Sequence, residues 1–193
     1  MLVNESRLIN APVMSLHVGG RIGVTKRPII NPANLRVVAY EIVAFNTPVP
    51  LYLLTSDIRE FGSLGIIVDD ADEFVAAGDV IKLDEILKIN FPLISMHVRD
   101  EDGKKLGKVS GYTVDTLNFE VQQLSVRRSL LKEFTDTGGL LVHRSQIIEI
   151  NDSAIIVKAP KAKIAQPIMN TERGNFVNPF KTPQVDNSST TSL

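Results

Sequence analysis

His17 and His97 stand at matching places in two near-identical decapeptides, and imidazole binds transition metals and carries protons near neutral pH. Two imidazoles fall short of the three or four ligands a zinc site uses, and no carboxylate or third histidine repeats beside them. The expected role is structural: a hydrogen bond along a sheet face, or between two halves of the chain. Asp69-Asp70-Ala71-Asp72-Glu73 concentrates carboxylates. A calcium loop needs oxygen ligands at alternate positions, a glycine at the sharp turn and a distant bidentate Glu. The glycine and the spacing are missing, so this run reads as a solvated acidic loop. Gly19-Gly20-Arg21-Ile22-Gly23 leads into strand residues instead of a helix N-terminus, which excludes a phosphate loop. With no Gly-x-Ser-x-Gly elbow either, no catalytic residue, metal ligand or cofactor is assigned. The expectation is a non-enzyme.

Cations supply the other candidate chemistry. Lys104, Lys105, Lys108, Arg127, Arg128, Lys132 and Arg144 gather in the C-terminal half. If the segments carrying them meet at one end of a sheet, they form a patch for RNA phosphates or for an acidic protein. Asp100, Glu101, Asp102, Glu133 and Asp136 interleave with them, and a mixed-charge solvated surface is the competing reading. Further on, Phe176, Val177 and Phe180 are apolar within a polar stretch. They read as a docking motif, for a partner or for a groove of the same chain.

These residues are positioned by a duplication. Ile9–Val18 and Ile89–Val98 agree at six of ten positions, at an offset of 80, too long for a solenoid unit and suited to a small domain. The match continues at an offset of 84, where Asn31–Val37 meets Asp115–Val121. It ends at an offset of 89, where Ser56-Asp57-Ile58 meets Ser145-Gln146-Ile147 and Ile66–Val68 meets Ile155–Val157. On this alignment the insertions fall at Arg99–Asp102 and within Arg127–Gly139. Alternation of Met14, Leu16 and Val18 with Val13, Ser15 and His17 argues a strand with one face on a core. Val18-Gly19-Gly20-Arg21 reads as a tight hairpin, and Arg99–Gly103 as its longer version. Asn31 and Asp115 open Asx turns. The strands that follow change parity, Leu35 and Val37 against Tyr40 and Ile42, and Phe119 and Val121 against Leu124 and Val126. A β-bulge or burial of both faces would explain this. Val80, Leu83, Ile86 and Leu87 keep helical spacing behind Asp79 as N-cap, and Ser129–Phe134 has room for another helical turn.

Composition sets the outer bounds. The chain has 193 residues, net charge −1 and no cysteine, so disulfides and thiolate metal sites are excluded and a cytoplasmic protein is expected. No signal peptide is read in residues 1–11, and no apolar stretch is long enough to span a bilayer. Residues 9–87 carry 6 basic and 10 acidic side chains, while residues 88–160 carry 10 and 9. That asymmetry suggests different partners for the two copies.

The hairpin Gly103–Val109, the turn and strand Asp115–Val121, the step Arg144-Ser145-Gln146-Ile147 and the closing strand Ala154–Val157 resemble the PRC-barrel family. The first copy is similar through Gly20–Gly23, Asn31–Val37 and Ser56-Asp57-Ile58. The resemblance implies an all-β fold of two tandem small antiparallel barrels. Residues 1–78 would form the first barrel, 79–88 a linking helix, 89–160 the second barrel, and 161–193 a largely disordered tail. The family includes the cytoplasmic part of the photosynthetic reaction-centre H subunit and the C-terminal domain of a ribosome maturation factor, where the barrel docks on other macromolecules. The implied function is a non-catalytic scaffold or adaptor binding protein partners through barrel faces. The alternative is a small-subunit maturation factor that binds a ribosomal protein or ribosomal RNA.

Overall fold

The computed structural model describes residues 1–45, 47–127 and 139–158. Within them the chain is mostly β, with one α-helix. A short strand β1 (Leu2–Asn4) precedes the first copy, which supplies β2 (Pro12–Ser15), β3 (Gly20–Asn31), β4 (Arg36–Ala44), β5 (Leu51–Leu54), β6 (Glu60–Gly62) and β7 (Gly65–Val68). Strand β8 (Phe74–Val75) and helix α1 (Ile81–Ile89) lead to the second copy. That copy contributes β9 (His97–Asp100), β10 (Lys105–Asp115), β11 (Glu120–Arg127), β12 (Leu140–His143), β13 (Ile147–Ile150) and β14 (Ala154–Val157).

The duplication survives in the topology. The first copy pairs its strands in the order β6-β7-β2-β3-β4, with β5 on the far edge of β4. The second repeats this as β13-β14-β9-β10-β11, with β12 on β11. Each order has one parallel contact at the same place, β2 with β7 and β9 with β14. The register slips are shared too. Lys26 is the extra residue between the pairs Thr25↔Ile42 and Arg27↔Glu41, as Ser110 is between Val109↔Val126 and Gly111↔Ser125. Val38 and Gln122 are the extra residues in β4 and β11. A single added residue reverses which face the following side chains occupy, and that is the parity change seen in the sequence.

The pairing does not close on itself. Its order is open, running from β13 to β6, and the two copies are joined in one sheet where β4 meets β11 at Arg36↔Glu120. The expected pair of separately closed barrels is therefore not what the pairing displays. Residues 1–159 cluster as one compact unit. A single core runs through both copies, from Val13, Leu35, Tyr40 and Leu53 to Val98, Phe119, Leu124 and Ile155. Tyr40 meets Phe119 edge-on across the joint at 6.4 Å between ring centres.

Turn chemistry builds this joint. Asn31 Oδ1 accepts from Ala33 N at 2.9 Å, and Asn34 Oδ1 from Arg36 N at 3.0 Å. Asp115 and Asn118 do the same for Leu117 N and Glu120 N. The turns leave Leu35 and Phe119 left-handed, at φ 50° and 57°. That conformation disfavours a residue with a Cβ by roughly 1–2 kcal/mol. Both side chains are buried in the joint, which offsets the strain.

One sequence expectation is overturned. At an offset of 80 Leu16 would match Met96 and Val18 would match Val98, yet Leu16 is 58% exposed against 7% for Met96, and Val18 60% against 0% for Val98. The backbone pairs the copies at an offset of 85 instead. Asn10 N donates to Thr25 O at 2.8 Å and Ser95 N to Val109 O at 2.8 Å, with both Asn10 and Ser95 left-handed. Ser15 and Asp100 then end their strands alike: the Ser15 hydroxyl accepts from Val18 N, and the Asp100 carboxylate from Lys104 N. Strand β2 thus stops at Ser15, which puts Leu16, His17 and Val18 into the turn. No insertion lengthens the second hairpin at Arg99–Asp102; the extra residues lie before β9.

Helix α1 forms where its spacing predicts. Its N-cap is Val80 and not Asp79, whose carboxylate instead accepts from Ala76 N. Leu83 anchors it over Ile29, Ala39 and Tyr52 of the first copy. Sequence reasoning missed β1, which pairs with β10 of the second copy through Leu2↔Asp115 and Asn4↔Thr113. The segment before each copy therefore covers strands of the other: β1 lies on β10, and α1 over β3, β4 and β5. Among the described residues no helix is long and apolar enough to cross a membrane.

Candidate functional site

Lys108 lies directly opposite His97 on one side and Arg127 on the other, so one row crosses β9, β10 and β11. Residues directly opposite in a sheet project to the same face. Lys105 pairs with Arg99, two residues along β9 from His97, and this pair shares that face. The opposite face holds Val98, Leu106, Val109 and Val126, all buried. His97, Lys105, Lys108 and Arg127 are exposed, and Arg99 is half-buried. Asp100, which interleaves with these cations in sequence, points inward and is spent on Lys104 N at 2.8 Å. The exposed acids nearest in sequence are Glu101 and Asp102 in the hairpin.

The equivalent face of the first copy has a different chemistry. Its rows read Pro12↔Val24↔Val43 and Met14↔Arg21, where the second copy has His97↔Lys108↔Arg127 and Arg99↔Lys105. Ile67 flanks Met14 as Ile156 flanks Arg99. Val43 is exposed and Pro12, Met14, Val24 and Ile67 are half-buried. At the edge of this face the Arg21 guanidinium lies over the Phe45 ring at 5.0 Å. One backbone thus presents an apolar outer face in one copy and a cationic one in the other.

Of the basic residues singled out in the sequence, Lys105, Lys108 and Arg127 come together on this face, and Lys104 sits beside them in the hairpin. Arg128 and Lys132 lie outside the described residues, as do Phe176, Val177, Phe180, the helical turn expected at 129–134 and the tail. Arg144 belongs elsewhere, and its place in the patch is corrected. Its guanidinium donates to Asn34 O at 2.7 Å and Val121 O at 3.3 Å and lies 3.7 Å from Glu120 Oε2. Thr55, its counterpart, donates to Val37 O at 3.2 Å. Arg144 therefore extends a bond the fold already makes so that it reaches across the joint.

His17 and His97 are also corrected: His17 is in a turn and His97 in β9 opposite Lys108, so they are not equivalent positions. The acidic run is engaged locally, with Asp69 bonded to Arg59 and Asp70 Oδ1 accepting from Ala71 N. Among the described residues no group of three His, Cys, Asp or Glu could hold a metal ion. An open cleft of about 380 Å³ lies between Pro32–Leu35 and Ile147–Ile150, with Arg144 at its wall.

Glu41 is buried beneath two cations. It accepts from Lys26 Nζ and Arg27 Nε at 2.6 Å each. Burial alone pushes its carboxyl up, but the hydrogen bonds from Lys26 and Arg27, with their charges, outweigh it and hold the carboxyl below its usual value. Burial also raises the Tyr40 and Tyr112 hydroxyls above the usual phenol range, with Tyr112 as the lesser cause for Tyr40 and Glu5 for Tyr112.

Sequence reasoning missed His97 and Arg99 as members of the cationic face, and missed the apolar face entirely. Comparing the copies at the hydrogen-bonded offset would have shown both. No protein-family model matches the chain, and no curated protein matches it in sequence.

Proposed function

We propose that this chain is a non-catalytic adaptor of PRC-barrel type, built from two barrel-like repeats that bind different partners through their outer sheet faces. The observation that carries this reading is the divergence of one face on a duplicated backbone. Pro12, Met14, Val24 and Val43 stand where the second copy has His97, Arg99, Lys108 and Arg127. Core positions must keep their chemistry for the fold to persist, whereas outer positions are free to answer to what they touch. An apolar sheet face rimmed by Arg21 and Phe45 suits a protein surface, since interfaces have apolar centres enriched in aromatic residues and arginine.

The test is comparative capture of partners by the full chain and two variants. Val24→Lys with Val43→Arg should remove one set of bound proteins, and Lys108→Gln with Arg127→Gln a different set of bound macromolecules. Loss of the same set by both, or of none by either, contradicts the reading. The cationic face also favours a second reading, a factor for small-subunit maturation. Co-sedimentation with small-subunit particles that weakens steeply with salt would support it; no association at low salt would oppose it.

A further inference from the structure

The geometry points to a phosphodiester strand as the ligand of the second copy's outer face: we propose that His97, Arg99, Lys105, Lys108 and Arg127 bind single-stranded nucleic acid through its phosphates, without reading its sequence. This goes beyond the adaptor reading and does not rest on it.

Three observations converge. The row His97↔Lys108↔Arg127 places two permanent cations directly opposite one another with an imidazole alongside, and like charges directly opposite in a sheet destabilise the pairing. The fold does not require them, because the first copy makes the same pairs with Pro12, Val24 and Val43. Third, Arg99 Nε is closed off from solvent and has no acceptor. A buried cationic N–H without an acceptor is rare in folded proteins, and a phosphate oxygen would satisfy it once the half-buried Arg99 side chain turned outward.

The class of anion follows from what the face lacks and how wide it is. Protein–protein interfaces are depleted of charge at their centres, whereas here the centre is charge, as in nucleic-acid interfaces. Beside these cations the same face carries Ile156 and Ser125, and among its described residues no Phe, Tyr or Trp on which a base could stack, so contact falls to the backbone, which carries no sequence information. The row spans two inter-strand spacings, about 10 Å, room for one phosphodiester strand.

The experiment uses the full chain, fluorescence anisotropy and a labelled mixed-sequence single-stranded RNA, titrated over a salt series. With four permanent cations engaged, log K should fall against log salt with a slope of about −3. Lys108→Gln with Arg127→Gln should weaken low-salt binding by roughly tenfold or more and lower the slope by about 1.4, while Lys108→Arg retains both. Arg21→Gln, on the equivalent site of the first copy, should change neither. Single-stranded DNA binding as tightly as the RNA supports the proposal, since the phosphates are shared. A slope unchanged in the double variant overturns it, as does equal competition by polyglutamate, which would make the ligand an acidic protein. Absence of binding at low salt overturns it too. Melting temperatures measured alongside separate loss of binding from loss of fold.

Discussion

Val37 N donates to Phe119 O at 2.8 Å, and the reciprocal bond, Val121 N to Leu35 O, is 2.9 Å. An offset of 84 converts one bond into the other, so the two copies meet about a local twofold. The left-handed Leu35 and Phe119 that turn each chain toward its twin are buried at the same contact. Strand pairing, core continuity and the Arg144 bridge all run through this joint.

The register can be checked by cavity formation. Val13 and Val98 are fully buried and equivalent at an offset of 85. Val13→Ala and Val98→Ala should each lower stability by about 2 kcal/mol, and Val18→Ala by less than ~0.5 kcal/mol. Urea unfolding measures all three. Equal losses for Val18→Ala and Val98→Ala would restore the offset of 80.

Arg144 separates a shared bond from an added one. Arg144→Thr reproduces the first copy's Thr55 and keeps a donor near Val121 O, but abandons Asn34 O. It should lower stability by about 1 kcal/mol, and Arg144→Ala by about 2 kcal/mol, since hydrogen bonds from a charged donor contribute more than neutral ones. If both variants melt with the wild type, the bridge is not stabilising.

Glu41 predicts an acid-side signature. Its folded-state pKa is depressed, so its contribution is complete above the unfolded value of 4.5 and is lost as pH falls through the lower folded value. The stability gap between wild type and Glu41→Gln should therefore be widest near neutrality and shrink below about pH 4.5. A gap that grows on acidification would contradict the assignment.

The duplication, the Asx turns at Asn31 and Asp115, helix α1 and most strands were legible, because period-two alternation and turn residues are local signals. The first strand misled for a physical reason. Met14, Leu16 and Val18 alternate as well as Val13 and Ser15 do, and only the Ser15 hydroxyl bond to Val18 N, which ends the strand, decides which set faces the core. The joint was not legible, since Arg36↔Glu120 pairing and the reach of Arg144 to Asn34 depend on contacts more than 80 residues apart. The cationic face was half legible. Lys105, Lys108 and Arg127 stood out as charges, but their row with His97 exists only in the register.

Calorimetric unfolding of the full chain tests most directly whether the two copies form one body across Val37 and Phe119. A shared core and a continuous sheet predict one transition whose van't Hoff and calorimetric enthalpies agree, with Phe119→Ala lowering it as a whole by about 3–4 kcal/mol. Two resolved transitions, only one of them shifted by Phe119→Ala, would contradict the account.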